Sequence, residues 1–120
     1  MKLKFSQEDI NRQKSVTPGW YDCVIKDAND ELASDQQSTN TVVDFLILDG
    51  AFVGVPLRTW INEKAPGLYI QFFEAVLGQK IGPGTEVETT AVKGRKVKVF
   101  VANEEYKKRM TNVVKDYRPM

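Results

Sequence analysis

Apolar and polar residues alternate with period two in several short runs, and that period predicts strands. The first run is Trp20 to Ala28, with Tyr21, Cys23 and Ile25 on one face and Trp20, Asp22, Val24 and Lys26 on the other. The second, Thr41 to Leu48, is apolar on both faces apart from Asp44. That marks a strand covered on both sides. The third, Phe52 to Ile61, puts Val53, Val55, Leu57, Thr59 and Ile61 on a core face and Phe52, Gly54, Pro56, Arg58 and Trp60 on the outer one. Asp49-Gly50 between these two runs predicts a tight hairpin, because glycine accepts positive φ at little steric cost. Pro56 cannot donate to a ladder and marks an edge, a bulge or a break.

The period then changes. Leu68, Phe72, Phe73, Val76 and Leu77 recur at helical spacing, and Gly78 is a natural stop. Lys93 to Ala102 returns to period two, with Val97, Val99 and Val101 inward and Lys96, Lys98 and Phe100 outward. Thr111 to Tyr117 predicts a fifth strand. Three segments outside these runs bear on the fold. Residues 1–15 are polar and read as an arm or a short helix started by Ser6 or Asp9, ending before the Pro18-Gly19 turn. Asn29 to Asn40 lacks a period and predicts a long loop with a disordered tip. Glu104 to Met110 predicts a loop or helical turn that carries Tyr106 among Lys107, Lys108 and Arg109.

The order is strand, strand, strand, helix, strand, strand. A single helix between the third and fourth strands is the layout of the OB-fold, a five-stranded Greek-key barrel. The expected fold class is therefore all-β with one helix, with an N-terminal arm over residues 1–15 and an OB-fold domain over 16–120. Ligands of that architecture cross strands two and three and the loops after strands one and four. Those positions hold Arg58 with Trp60 and the Tyr106–Arg109 cluster.

Composition narrows the chemistry. The chain has 120 residues and no histidine, which removes the commonest general base and the common zinc sites. Cys23 is the single cysteine, so an intrachain disulfide is impossible. Asp27, Asp30, Glu31 and Asp35 lack the order of a calcium-binding loop. No metal, cofactor or catalytic set is expected, and the chain does not read as an enzyme. No apolar run approaches the ~20 residues of a membrane span, and Met1 to Asp9 has no signal-peptide core, so a cytoplasmic protein is expected. The net charge of +1 hides an asymmetry: residues 1–90 hold 8 Lys/Arg against 13 Asp/Glu, and residues 91–120 hold 9 against 3. A basic last quarter suits either a solvated surface or an anion-binding face.

A family resemblance rests on five stretches. They are Pro18-Gly-Trp-Tyr, Phe45-Leu-Ile-Leu-Asp-Gly followed by Gly54 and Arg58–Asn62, the 68–78 helix ending Glu-Ala-Val-Leu-Gly, Val92-Lys-Gly-Arg-Lys-Val, and Asn112-Val-Val-Lys-Asp-Tyr-Arg-Pro. Over residues 16–119 the chain resembles the small phage-encoded single-stranded-DNA-binding proteins with an OB-fold. The resemblance implies largely sequence-independent binding of single-stranded DNA in phage replication or recombination, beside other proteins of those processes and in the host cytoplasm. Many such proteins end in an acidic tail that recruits partners, whereas this chain ends Lys115-Asp-Tyr-Arg-Pro-Met.

On that reading Trp60, Phe100 and Tyr106 offer flat faces for bases. Arg58, Lys96, Lys98, Lys107, Lys108 and Arg109 offer charge to phosphates. Each has a plainer alternative. Trp60 suits a barrel end or a subunit neighbour as in a homodimer, Trp20 suits a lid over the barrel, and Lys96 and Lys98 suit protection of a strand from edge pairing. The rival function is a protein–protein or phage-assembly module using Phe52, Trp60 and Phe100 as an apolar patch.

Overall fold

The computed structural model describes the backbone of residues 1–120 and every side chain except that of Tyr106. Five antiparallel strands form one sheet: β1 (Gly19–Leu32), β2 (Thr39–Ile47), β3 (Pro56–Asn62), β4 (Lys96–Tyr106) and β5 (Arg109–Arg118). Their order is β3-β2-β1-β4-β5. Helix α1 (Gln7–Arg12) precedes the sheet, and α2 (Pro66–Leu77) lies between β3 and β4.

The sheet bends because β1 serves two ladders. Gly19 to Val24 pairs with β4, and Cys23 to Leu32 pairs with β2. A bulge between Ile25 and Asp27 shifts the register within the β1–β2 ladder. The extra residue flips the alternation, so Cys23, Ile25 and then Ala28 are all buried. A strict period of two cannot anticipate this. A second bulge, at Phe100/Val101 opposite Val114 and Asp116, bends β4 and β5 in the same way. The two edge strands, β3 and β5, then come into contact. Burial pushes the Tyr117 hydroxyl of β5 up to about 12.

The inner face and α2 enclose the core. Val97, Val99 and Val101 are buried as their alternation predicts. Phe72 of α2 packs edge-on against Phe45 of β2 and Tyr117 of β5. Truncating Phe72 to Ala would cost about 3–5 kcal/mol. α2 ends where Gly78 turns left-handed, at φ 68°.

Five expectations need correction. Asp49-Gly50 is not a two-residue hairpin: Gly50–Phe52 is a 3-10 turn, and the β2–β3 ladder closes at Leu46 opposite Pro56. Pro56 delays the third strand, so Phe52 swings inward against Tyr21 and Val53 is exposed. The expected 29–40 loop shrinks as β1 and β2 extend. Its remnant is closed by Asp35, whose carboxylate accepts hydrogen bonds from the Gln37 and Ser38 N–H groups, the Ser38 hydroxyl and Lys64. These donors hold the Asp35 carboxyl well below the usual carboxylate range. The fourth strand begins at Lys96 rather than Lys93. The expected 104–110 loop is instead a β-hairpin, with Tyr106 paired to Arg109 across a two-residue turn.

Candidate nucleic-acid interface

The outer face of the sheet carries the expected side chains, in two groups. At the β2–β3 end, Trp60 stands opposite Val42 and Arg58 opposite Asp44. Trp60 is 55% exposed, and among the described residues no ring stacks on it and no cation covers it. Arg58 is already engaged: its Nε and Nη2 reach the two Asp44 carboxylate oxygens at 2.6 and 3.2 Å. This fork raises the Arg58 pKa further, Asp44 being the main cause. Arg58 therefore reaches a phosphate only by exchanging one anion for another.

At the other end lie Trp20, Phe100 and Arg118. Trp20 pairs with Phe100 across the β1–β4 ladder, and their rings meet edge-on at 5.3 Å. The Arg118 guanidinium sits 4.3 Å from the Trp20 ring centre. Trp20 is half-buried. The two groups are separated by nine residues of β1, from Trp20 to the Asn29 that pairs with Val42, or about 30 Å of strand. Between them run Lys98, 3.4 Å from Asp22, and Lys96, opposite Val24, which has no carboxylate partner among the described residues.

The basic cluster sits elsewhere. Beyond Val101, β4 loses its pairing to β1, so residues 102–113 project as a two-stranded ribbon. Lys107 and Lys108 form its tip with φ of 48° and 64°. That left-handed conformation suits hairpin turns but normally calls for Asn or Gly. Lysines there cost stability, and such strain clusters at functional sites. Lys108 and Arg109 are exposed. The Tyr106 side chain lies outside the described residues. The expected nine residues thus fall in three places: Arg58 and Trp60; Lys96, Lys98 and Phe100; and the ribbon tip.

Three contributors were missed by sequence reasoning. Arg118 looks like a terminal residue in sequence, but its register opposite Lys98 brings it over Trp20. Arg12 of α1 and Lys26 join Arg58 around a cleft of about 600 Å³ on the outer face. The helix there is started by a reciprocal cap, Asp9 N–H to Ser6 Oγ at 3.1 Å and Ser6 N–H to Asp9 Oδ2 at 3.0 Å. It is held to the sheet by Asn11 Nδ2, which donates to the Gly54 carbonyl at 3.4 Å. A Cβ at position 54 would come within 3.0 Å of that amide, and φ there is +80°. The period of a six-residue helix gives no sign of what it rests on.

Carboxylates share this face. Asp22, Asp27 and Asp44 lie among its cations. Among the described residues no group of three His, Cys, Asp or Glu side chains is placed to hold a metal ion. No helix is long and apolar enough to cross a membrane. Cys23 is fully buried, and burial pushes its thiol up to about 12. No protein-family model matches the chain, and no curated protein sequence does.

Proposed function

We propose that the chain is an OB-fold barrel that binds single-stranded DNA without strong sequence preference, in phage DNA replication or recombination. The strand order, the bulged β1 shared by two ladders, the contact of β3 with β5 and the place of α2 support the barrel. One observation carries the ligand. Trp60 presents an open indole on the outer face of β3, flanked by Arg58. A large exposed aromatic is costly to leave in water and suits an unstacked base, worth about 1–3 kcal/mol. The choice of DNA over RNA rests on the family resemblance.

In this mechanism the strand runs along the outer face. A base stacks on Trp60, and its phosphate competes with Asp44 for Arg58. Lys96 and Lys98 line the path toward Phe100, and the ribbon tip adds Lys107, Lys108 and Arg109. Tyr106 is a second base platform in the same proposal. No bond is made or broken, and no cofactor takes part. With about four phosphates neutralised, the log–log salt slope is near −3.

Retention on immobilised single-stranded DNA at low and high salt tests this reading. Binding that weakens steeply with salt supports it. Salt-independent binding, or none, refutes it and leaves the protein–protein module. That rival loses one of its three expected residues, since Phe52 packs against Tyr21.

A further inference from the structure

The opposite side of the molecule holds a groove that the nucleic-acid reading does not use. It lies between α2 and residues 81–89, with a volume of about 540 Å³. Tyr69, Ile70, Phe73, Ile81 and Val87 form its apolar lining. Ile70 and Val87 remain 44% and 39% exposed, so the lining is unfinished. Its polar end is rigid: Asp30 accepts from the Thr41 hydroxyl at 2.7 Å and from Thr89 at 2.7 and 2.9 Å. Asp30 and Glu63 stand on the rim. The lining holds no lysine or arginine among the described residues, and Lys80 stands in the turn between α2 and Ile81.

The N-terminal arm has the complementary pattern. Met1, Leu3 and Phe5 alternate with Lys2 and Lys4, and residues 1–7 contain no acid. Met1, Leu3 and Phe5 are 110%, 65% and 69% exposed. An extended segment from residue 1 to residue 5 spans about 13 Å. The α2 wall between Pro66 and Phe73 is about 10 Å long, so Leu3 and Phe5, about 7 Å apart on that segment, fit along it while Met1 lies beyond its end.

We propose that the arm of one copy, residues 1–5, seats in the α2/81–89 groove of a second copy, with Leu3 and Phe5 in the apolar lining and Lys2 and Lys4 facing the acidic rim. Arm and groove are different surfaces, so the contact is head-to-tail and links copies into open chains or rings. It does not require nucleic acid. On a shared strand it would align neighbouring copies, because the groove leaves the outer face of the sheet uncovered.

A double variant, Phe5→Cys with Val87→Cys, tests the seating under mild oxidation. Both positions are exposed, and the buried Cys23 stays silent. The expected result is a concentration-dependent ladder of cross-linked copies. Intramolecular cross-linking alone would show the arm folding onto its own groove, and no cross-linking would show it seating nowhere; either overturns the proposal. In sedimentation velocity, Phe5→Glu in the full-length chain should weaken self-association at least about tenfold. Unchanged self-association overturns the proposal. Binding to an oligonucleotide long enough for one copy should stay the same for Phe5→Glu, so failure of the arm contact and failure of the nucleic-acid reading remain distinguishable.

Discussion

Trp60 and Trp20 stand on the same face of one sheet and differ in what surrounds them. Trp20 is half-buried, edge-on to Phe100 and capped by Arg118. Among the described residues, no ring and no cation is recorded against Trp60. An indole that has satisfied its faces within the protein contributes to folding. One that has not is available to something else. In the proposed mechanism this difference gives Trp60 to the ligand and Trp20 first to the architecture of the β1–β4 ladder.

The largest expected effect follows directly. Trp60→Ala should weaken binding to every single-stranded sequence roughly 5- to 150-fold, the loss of about 1–3 kcal/mol of stacking, with little change in urea unfolding. Trp20→Ala should reverse the balance. It loses an aromatic pair and a cation–π contact, about 1–2.5 kcal/mol together, and so shifts the urea midpoint while binding falls less. If Trp20→Ala harms binding more than Trp60→Ala does, the division is wrong.

The ribbon tip gives a smaller effect with opposed signs. Lys108→Gly relieves a left-handed lysine and should stabilise the fold by about 1 kcal/mol. The same change should make the salt slope about 0.7 shallower, because one phosphate partner is gone. A stability gain with no change in slope would remove the tip from the interface. Smaller again is Asp44→Asn, which frees Arg58 from its carboxylate. Titrations should show single-stranded DNA bound about two- to fivefold more tightly. Weaker binding would mean that Asp44 aims Arg58 rather than competing for it.

The smallest effect concerns pH. Hydrogen bonds depress the folded-state pKa of Asp35, so its contribution is present at neutral pH, above the unfolded value. It declines as pH falls below about 4 and is lost only on passing the folded pKa. Urea unfolding of wild type and Asp35→Asn at pH 7 and pH 3 should show the gap narrowing with acid. A constant gap would mean that the 33–38 loop is not closed by its carboxylate.

Much of the sheet was legible because valine alternation is local. Val97, Val99 and Val101 face inward on period alone, and α2 follows from its apolar spacing and Gly78. The β2–β3 connection was misread because Asp49-Gly50 outweighed Pro56, although a proline cannot enter the ladder early. The 104–110 hairpin was hidden because Lys107-Lys108 is not the residue pair such turns favour. Among the nine expected site residues, the faces of Arg58, Trp60, Lys96 and Lys98 could be read from alternation alone. Their pairing could not: Arg58 with Asp44, and Lys98 with Asp22, depend on cross-strand register. Arg118 over Trp20 depends on it too, through the bulge that shifts β5 by one residue.

The central claim is that Trp60 is the open base platform. Tryptophan fluorescence of Trp20→Phe, which leaves Trp60 as the only indole, and of Trp60→Phe, which leaves Trp20, should be titrated with single-stranded and duplex oligonucleotides. The account predicts strong quenching by single strands in Trp20→Phe, weak quenching in Trp60→Phe, and little response of either to duplex at matched salt. Equal quenching of Trp60 by duplex and single strands, or quenching confined to Trp20, would contradict it.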